Sequence, residues 1–311
     1  MNKCIRAAAI LAGVPLLALA PSVAHACACG CGIFEVGTAE MMPTSSGATA
    51  WFQYDFMDQN KNWHGTSSAP AADNSDKEIH TNFYTAGGQY MFNRAWGVMA
   101  EVPYTDRNFK TDIGSPGTPD VVAFHEENLG DIRLRGVYSG FSDDMSTGVT
   151  FGVKLPTGEY NDHDLDRDTS IGTGSTDALL GAYHMGSLTN DGMFNWFTNG
   201  QVDYPVAARD GYRPGNEIDA GIGSYYNAGT LGAGKLSPLL QVLFSQRWHD
   251  SGVNADPADS GYTRIYLSPG VEYDIDKVKL YGDVELPVYQ FMRGDQLVAP
   301  VLVKFNVGYS F

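Results

Sequence analysis

The chain has 311 residues, a net charge of −16 and 43% hydrophobic residues. Nucleic-acid phosphates are held by basic clusters, so an acidic chain of this kind excludes nucleic-acid binding. Four cysteines, none of them beyond Cys31, exclude a disulfide framework across the body of the protein.

At the N-terminus Lys3 and Arg6 precede an apolar stretch, Ala7 to Leu19, and Ala24-His25-Ala26 follows as a small-x-small cleavage pattern. A spanning helix needs about 20 apolar residues, so the shorter run reads as a secretory signal peptide over residues 1–26. Its removal takes Lys3 and Arg6 away and moves the net charge from −16 to −18. Residues 27–47 then form a periplasmic N-terminal segment that begins Cys27-Ala28-Cys29-Gly30-Cys31. Three alternating thiols match a trigonal Cu(I) site, or a Zn(II) site short of one ligand. Met41 and Met42 add thioethers nearby. Acylation of Cys27, a disulfide and a redox-active tether are the other readings of the same residues.

From residue 48 to 311 the period is two, the signature of strands. Approximate strands fall at 48–58, 78–92, 95–109, 128–141, 144–155, 174–188, 192–206, 215–228, 235–250, 261–275, 277–291 and 299–311. These runs are mostly longer than the usual strand of about five or six residues and suit the roughly 9–11 residues that cross a bilayer. Short connectors at Asn93-Arg94, Ser142-Asp143, 189–191, 229–234 and Asp276 alternate with longer ones at 59–77, 110–127, 156–173, 207–214, 251–260 and 292–298. Short periplasmic turns and long external loops are the pattern of an outer-membrane barrel. The fold class expected is therefore all-β, a transmembrane antiparallel up-and-down barrel of about 12 strands, with both termini periplasmic. Gly (36), Tyr (17) and Phe (15) suit barrel corners and interfacial girdles. Phe311 closes the chain behind Tyr309, Val307, Phe305 and Val303, resembling the C-terminal strand read by the barrel-assembly machinery.

Three stretches, Lys154-Leu155-Pro156-Thr157-Gly158, Gly172-Thr173-Gly174-Ser175-Thr176-Asp177 and Tyr212-Arg213-Pro214-Gly215-Asn216-Glu217, together with the closing Gly308-Tyr309-Ser310-Phe311, resemble the outer-membrane transporter family named for the meta-pathway of phenol degradation. The resemblance covers roughly residues 128 to 311. It implies a barrel that moves small aromatic or apolar molecules, and it brings no catalytic residues with it.

A Lys or Arg on the lipid face costs about 2–4 kcal/mol at the bilayer midplane, so charged residues within the strands are expected to line the lumen. They are Asp55, Glu101, Asp131, Arg133, Arg135, Lys154, Asp177, Asp203, Asp219, Arg247, Arg264, Glu272, Lys279, Asp283, Glu285 and Lys304. Such charges either tune a water-filled pore or knit cross-strand bridges that brace a narrow barrel. The acidic run Asp162 to Asp168 offers oxygen ligands but lacks the Gly and distal Glu of a calcium loop. The histidines are scattered, and neither HExxH, GxSxG nor CxxCH occurs. The function expected is passive passage of small solutes across an outer membrane, in contact with its lipid and lipopolysaccharide, and not enzyme catalysis. Copper or zinc handling through Cys27, Cys29 and Cys31 is the alternative, and a barrel enzyme acting on lipid or peptide is a third reading.

Overall fold

Successive side chains of a strand point to opposite faces, and here that alternation builds a wall. A computed structural model describes residues 42–69, 77–112, 118, 120–161, 167 and 169–311. Among them twelve barrel strands follow one another: β1 (Gly47–Gln59), β2 (Glu78–Met91), β3 (Trp96–Asp112), β4 (Val121–Leu129, resuming at Arg133–Tyr138), β5 (Thr147–Lys154) and β6 (Ser175–Ser187). The second half comprises β7 (Phe194–Ala208), β8 (Glu217–Tyr226), β9 (Gly234–Arg247), β10 (Tyr262–Ile275), β11 (Val278–Val298) and β12 (Leu302–Ser310). Each pairs antiparallel with the next, and β1 returns to β12 from Thr49↔Ser310 to Met57↔Leu302. The sheet is closed. A closed sheet leaves no unpaired edge, which is what a lipid environment demands of a β structure.

The outward face is apolar. Phe52, Tyr90, Val98, Leu134, Phe151, Leu180, Ile222, Leu240 and Phe305 are all exposed. At the short-turn end aromatic pairs ring the wall: Trp96 with Tyr138 (4.6 Å between centroids), Phe194 with Tyr226 (4.7 Å) and Tyr309 with Phe311 (4.9 Å). A second row, Tyr54, Tyr84 and Tyr104, lies nearer the other end. Aromatic rows at two heights are the girdles of a membrane barrel.

The short turns are fastened locally. Asn93 Oδ1 accepts from the backbone N–H of Ala95 and Trp96. Ser146 donates to Asp144 from both backbone and side chain and holds that exposed carboxyl down at about 2. Asp191 is likewise lowered, by the Thr189 hydroxyl and the Met193 N–H.

The structure corrects three strand boundaries. Residues 121–127, expected within a loop, form an arm with the end of β3 (Tyr104↔Leu129 to Asp112↔Val121). Both faces of that arm are at least partly exposed, so it lacks the apolar stripe that marks a strand. Residues 292–298, also expected as loop, extend β11 and pair with Lys61–Gly65. The turn after β4 is longer than Ser142-Asp143, because β4 stops at Tyr138 and β5 starts at Thr147.

Inside, each end of the barrel has an apolar layer. Trp51, Met91, Met99, Val137, Met145, Tyr183 and Phe197 pack at the short-turn end, with Met42 against them. Met57, Phe83, Leu243, Tyr266 and Leu302 pack toward the long-loop end, and Ile79, Phe109 and Leu297 form a further group beside the arm. A belt of charge separates these layers.

Candidate functional site: the charged belt and the inner loop

All sixteen charged residues singled out in the strands are described. Glu101, Arg133, Glu272 and Lys279 are half-buried, and the other twelve are buried. Water is largely removed from them, so each charge needs a compensating partner. One cluster centres on Lys304 of β12, whose Nζ lies 3.3 Å from Glu285 and 4.0 Å from Asp55. Gln53 donates to Asp55 (2.8 Å). Beside it Asp283 accepts from Ser268, Tyr281 and Gln241 at 2.6–2.8 Å. A second cluster joins Arg135 to Glu101 and Lys154 to Asp177, with Asp203 3.3 Å from the same ammonium. In a third, Arg264 lies over the Tyr262 ring (3.7 Å) within electrostatic reach of Asp219. At the short-turn end Lys279 faces Glu272 (3.2 Å) and Asp274 (3.7 Å).

Asp131 has a different task. It lies where β4 breaks, and it accepts three hydrogen bonds from a loop: Gly158 N (3.0 Å), Thr173 N (2.8 Å) and Thr173 Oγ1 (2.6 Å). Thr157 Oγ1 accepts from Ile132 N (2.9 Å) and donates to Gly130 O (2.8 Å). These bonds pull both ends of the β5–β6 connection into the barrel. Arg107 of β3 donates to Thr169 O, and Thr169 is fully buried. Arg167 donates to Thr173 O (2.6 Å), and its guanidinium lies 4.3 Å from the Tyr212 ring centre and 5.0 Å from that of Tyr160.

Asp250 performs a matching role across the barrel. It accepts from Tyr212 Oη (2.5 Å), Gly215 N (2.8 Å) and Arg247 Nη2 (2.6 Å). A Cβ on Gly215 would lie 1.8 Å from Trp248 O, so this close approach requires glycine. The three Gly-bearing stretches at 154–158, 172–177 and 212–217 therefore meet in one place. They surround a cavity of about 190 Å³ walled by the Arg135–Lys154 cluster and its neighbours, among them Arg133, Asp203 and Glu217.

Asp250, Arg107 and Glu217 were not anticipated as parts of the site. Glu217 accepts from Tyr262 Oη (2.6 Å) and Ser245 Oγ (3.2 Å). Their only signal in the sequence was a charge next to a Gly-rich stretch or at a strand end, where solvation is the ordinary fate. Cys27, Cys29, Cys31 and most of the acidic run 162–168 lie outside the described residues. Among the described residues Asp58, Glu78 and His80 have metal-ligand spacing. The two ring nitrogens of His80, however, each face a separate carboxylate, Glu78 at 3.0 Å and Asp58 at 3.6 Å.

A family model described as "Putative MetA-pathway of phenol degradation" matches residues 58–299. Among solved structures the chain is similar to an outer membrane channel from Pseudomonas putida F1, at 12% identity and a TM-score of 0.67 over 89% of this chain and 100% of that one. It is also similar to the β domain of a Bordetella autotransporter, at 12% identity and a TM-score of 0.53 over 86% of this chain and 100% of that one. At these identities the likeness is one of fold, that of an outer-membrane β-barrel. A comparison with curated proteins finds no match.

Proposed function

This chain belongs to the family of the MetA-pathway of phenol degradation, and on that premise we propose that it is a passive outer-membrane channel for small solutes, including aromatic and apolar ones. The observation that carries the reading is the interior. A belt of buried charge encloses a 190 Å³ cavity, and apolar layers lie on either side of it. A solute moving along the axis meets greasy, polar and again greasy surroundings. That sequence suits a compact molecule with an apolar body, and it disfavours large or highly charged ones. The sixteen strand charges line this path, and their pairing makes it narrow.

The short turns lie on the same side as the start of β1 and the end of β12, and we assign that side to the periplasm, with residues 1–26 as a signal peptide. Phe311, exposed beside Tyr309, is the assembly-machinery contact in this reading. The girdles meet membrane lipid, and the long connections meet lipopolysaccharide. Residues 27–47 follow as a periplasmic segment, in which Cys27, Cys29 and Cys31 are a candidate Cu(I) or Zn(II) head. The test is solute release from liposomes containing the purified mature protein. Release of small solutes with a sharp size limit supports the channel, and liposomes as tight as empty ones would refute it.

A further inference from the structure

The cavity wall carries polar atoms that have no hydrogen-bond partner among the described residues. Ser170 is 9% exposed and its Oγ makes no hydrogen bond. Arg167 Nη1 and Arg135 Nε are enclosed without an acceptor, and Arg167 makes no ion pair among the described residues. On the other side Oδ1 of Asp177 and Oδ1 of Asp203 are enclosed without a donor, while Lys154 holds the second oxygen of each. All five residues line the same cavity, and so do Phe83, Pro103, Tyr212 and Pro214.

Buried polar groups are almost always satisfied. What enters this cavity must therefore both accept and donate. A guanidinium held on aromatic rings, with no ion pair among the described residues, matches an anion, because a planar donor fork pairs best with a carboxylate. Two carboxylate oxygens lacking donors match a hydroxyl. Flat ring and proline surfaces on the same wall match a planar apolar body. We infer that the cavity is a binding site for a small flat solute with a carboxylate at one end and a hydroxyl at the other, an aromatic hydroxy acid being the simplest chemical class. This deepens the channel reading and rests on it.

Binding of 4-hydroxybenzoate, benzoate, phenol and toluene to the folded mature protein in detergent, measured by calorimetry, tests the site separately from flux. Saturable binding strongest for 4-hydroxybenzoate is expected, falling roughly tenfold in Arg167→Gln and in Ser170→Ala, the loss typical of one charge-assisted or buried hydrogen bond. Ser170→Ala removes one oxygen, so it remains informative should the arginine variant fail to fold. Equal binding of all four probes, or binding indifferent to both substitutions, would overturn the inference. Binding without release from liposomes would uphold the site and refute the channel, whereas release without binding would do the reverse.

Discussion

Gly158 and Gly172 meet backbone to backbone inside the barrel. A Cβ added at Gly158 would lie 2.8 Å from Gly172 Cα, and one at Gly172 would lie 2.5 Å from the Gly158 carbonyl. The two glycines come from opposite ends of the β5–β6 connection, and the contact lets Gly158 and Thr173, the residue after Gly172, both reach the Asp131 carboxylate. Gly172→Ala is therefore expected to push the inner loop off its seat while the twelve-strand wall still forms. Overpacking of this kind typically costs about 1–3 kcal/mol. The folded form should keep its heat-modifiable migration in gels but unfold at lower urea concentration.

Asp131→Ala should act on the loop alone. It leaves the N–H groups of buried Gly158 and half-buried Thr173 without their acceptor, at about 1–3 kcal/mol for a buried group. Limited proteolysis of the reconstituted protein should cut at residues 155–161 or 169–174 in the variant and spare those residues in the wild type. Equal protection would show that Asp131 does not hold the loop.

Lys304 sets one positive charge against two buried carboxylates, Glu285 and Asp55. Lys304→Met is expected to destabilise the barrel by about 3–5 kcal/mol, because it strands buried charge. Replacing Glu285 and Asp55 by Gln in the same chain should restore most of that loss. Comparison of urea midpoints for the single and triple variants gives the answer, and a triple variant no more stable than the single one would refute the pairing.

Phe311 is exposed at the girdle, and its N–H closes the last bond of the wall on Ala48 O (3.0 Å). Deleting it should leave folding into detergent nearly intact and lower the amount assembled in the outer membrane of cells. A fall in both would assign the residue to stability instead of recognition.

Where one face of a strand meets lipid and the other a packed interior, the sequence reveals it, as β10 and β12 illustrate. Glu272 and Lys304 stood out because their neighbours on either side are apolar. The arm at 121–127 escaped notice because neither of its faces is buried. The inner loop escaped for another reason. Its Gly, Thr and Asp residues are those of any surface turn, and only closure of the barrel brings Gly158, Gly172 and Asp131 together. Asp250 stood in the sequence as the polar end of a strand, yet its work is to hold Tyr212 and Gly215, which lie 38 and 35 residues away.

Ion current through single molecules of the mature protein in a planar bilayer tests the central claim most directly. A narrow passive channel predicts small, steady current steps in the wild type and larger ones in Asp131→Ala, where the inner loop is released. A membrane that stays silent with both proteins, although each is folded and inserted, would contradict the account.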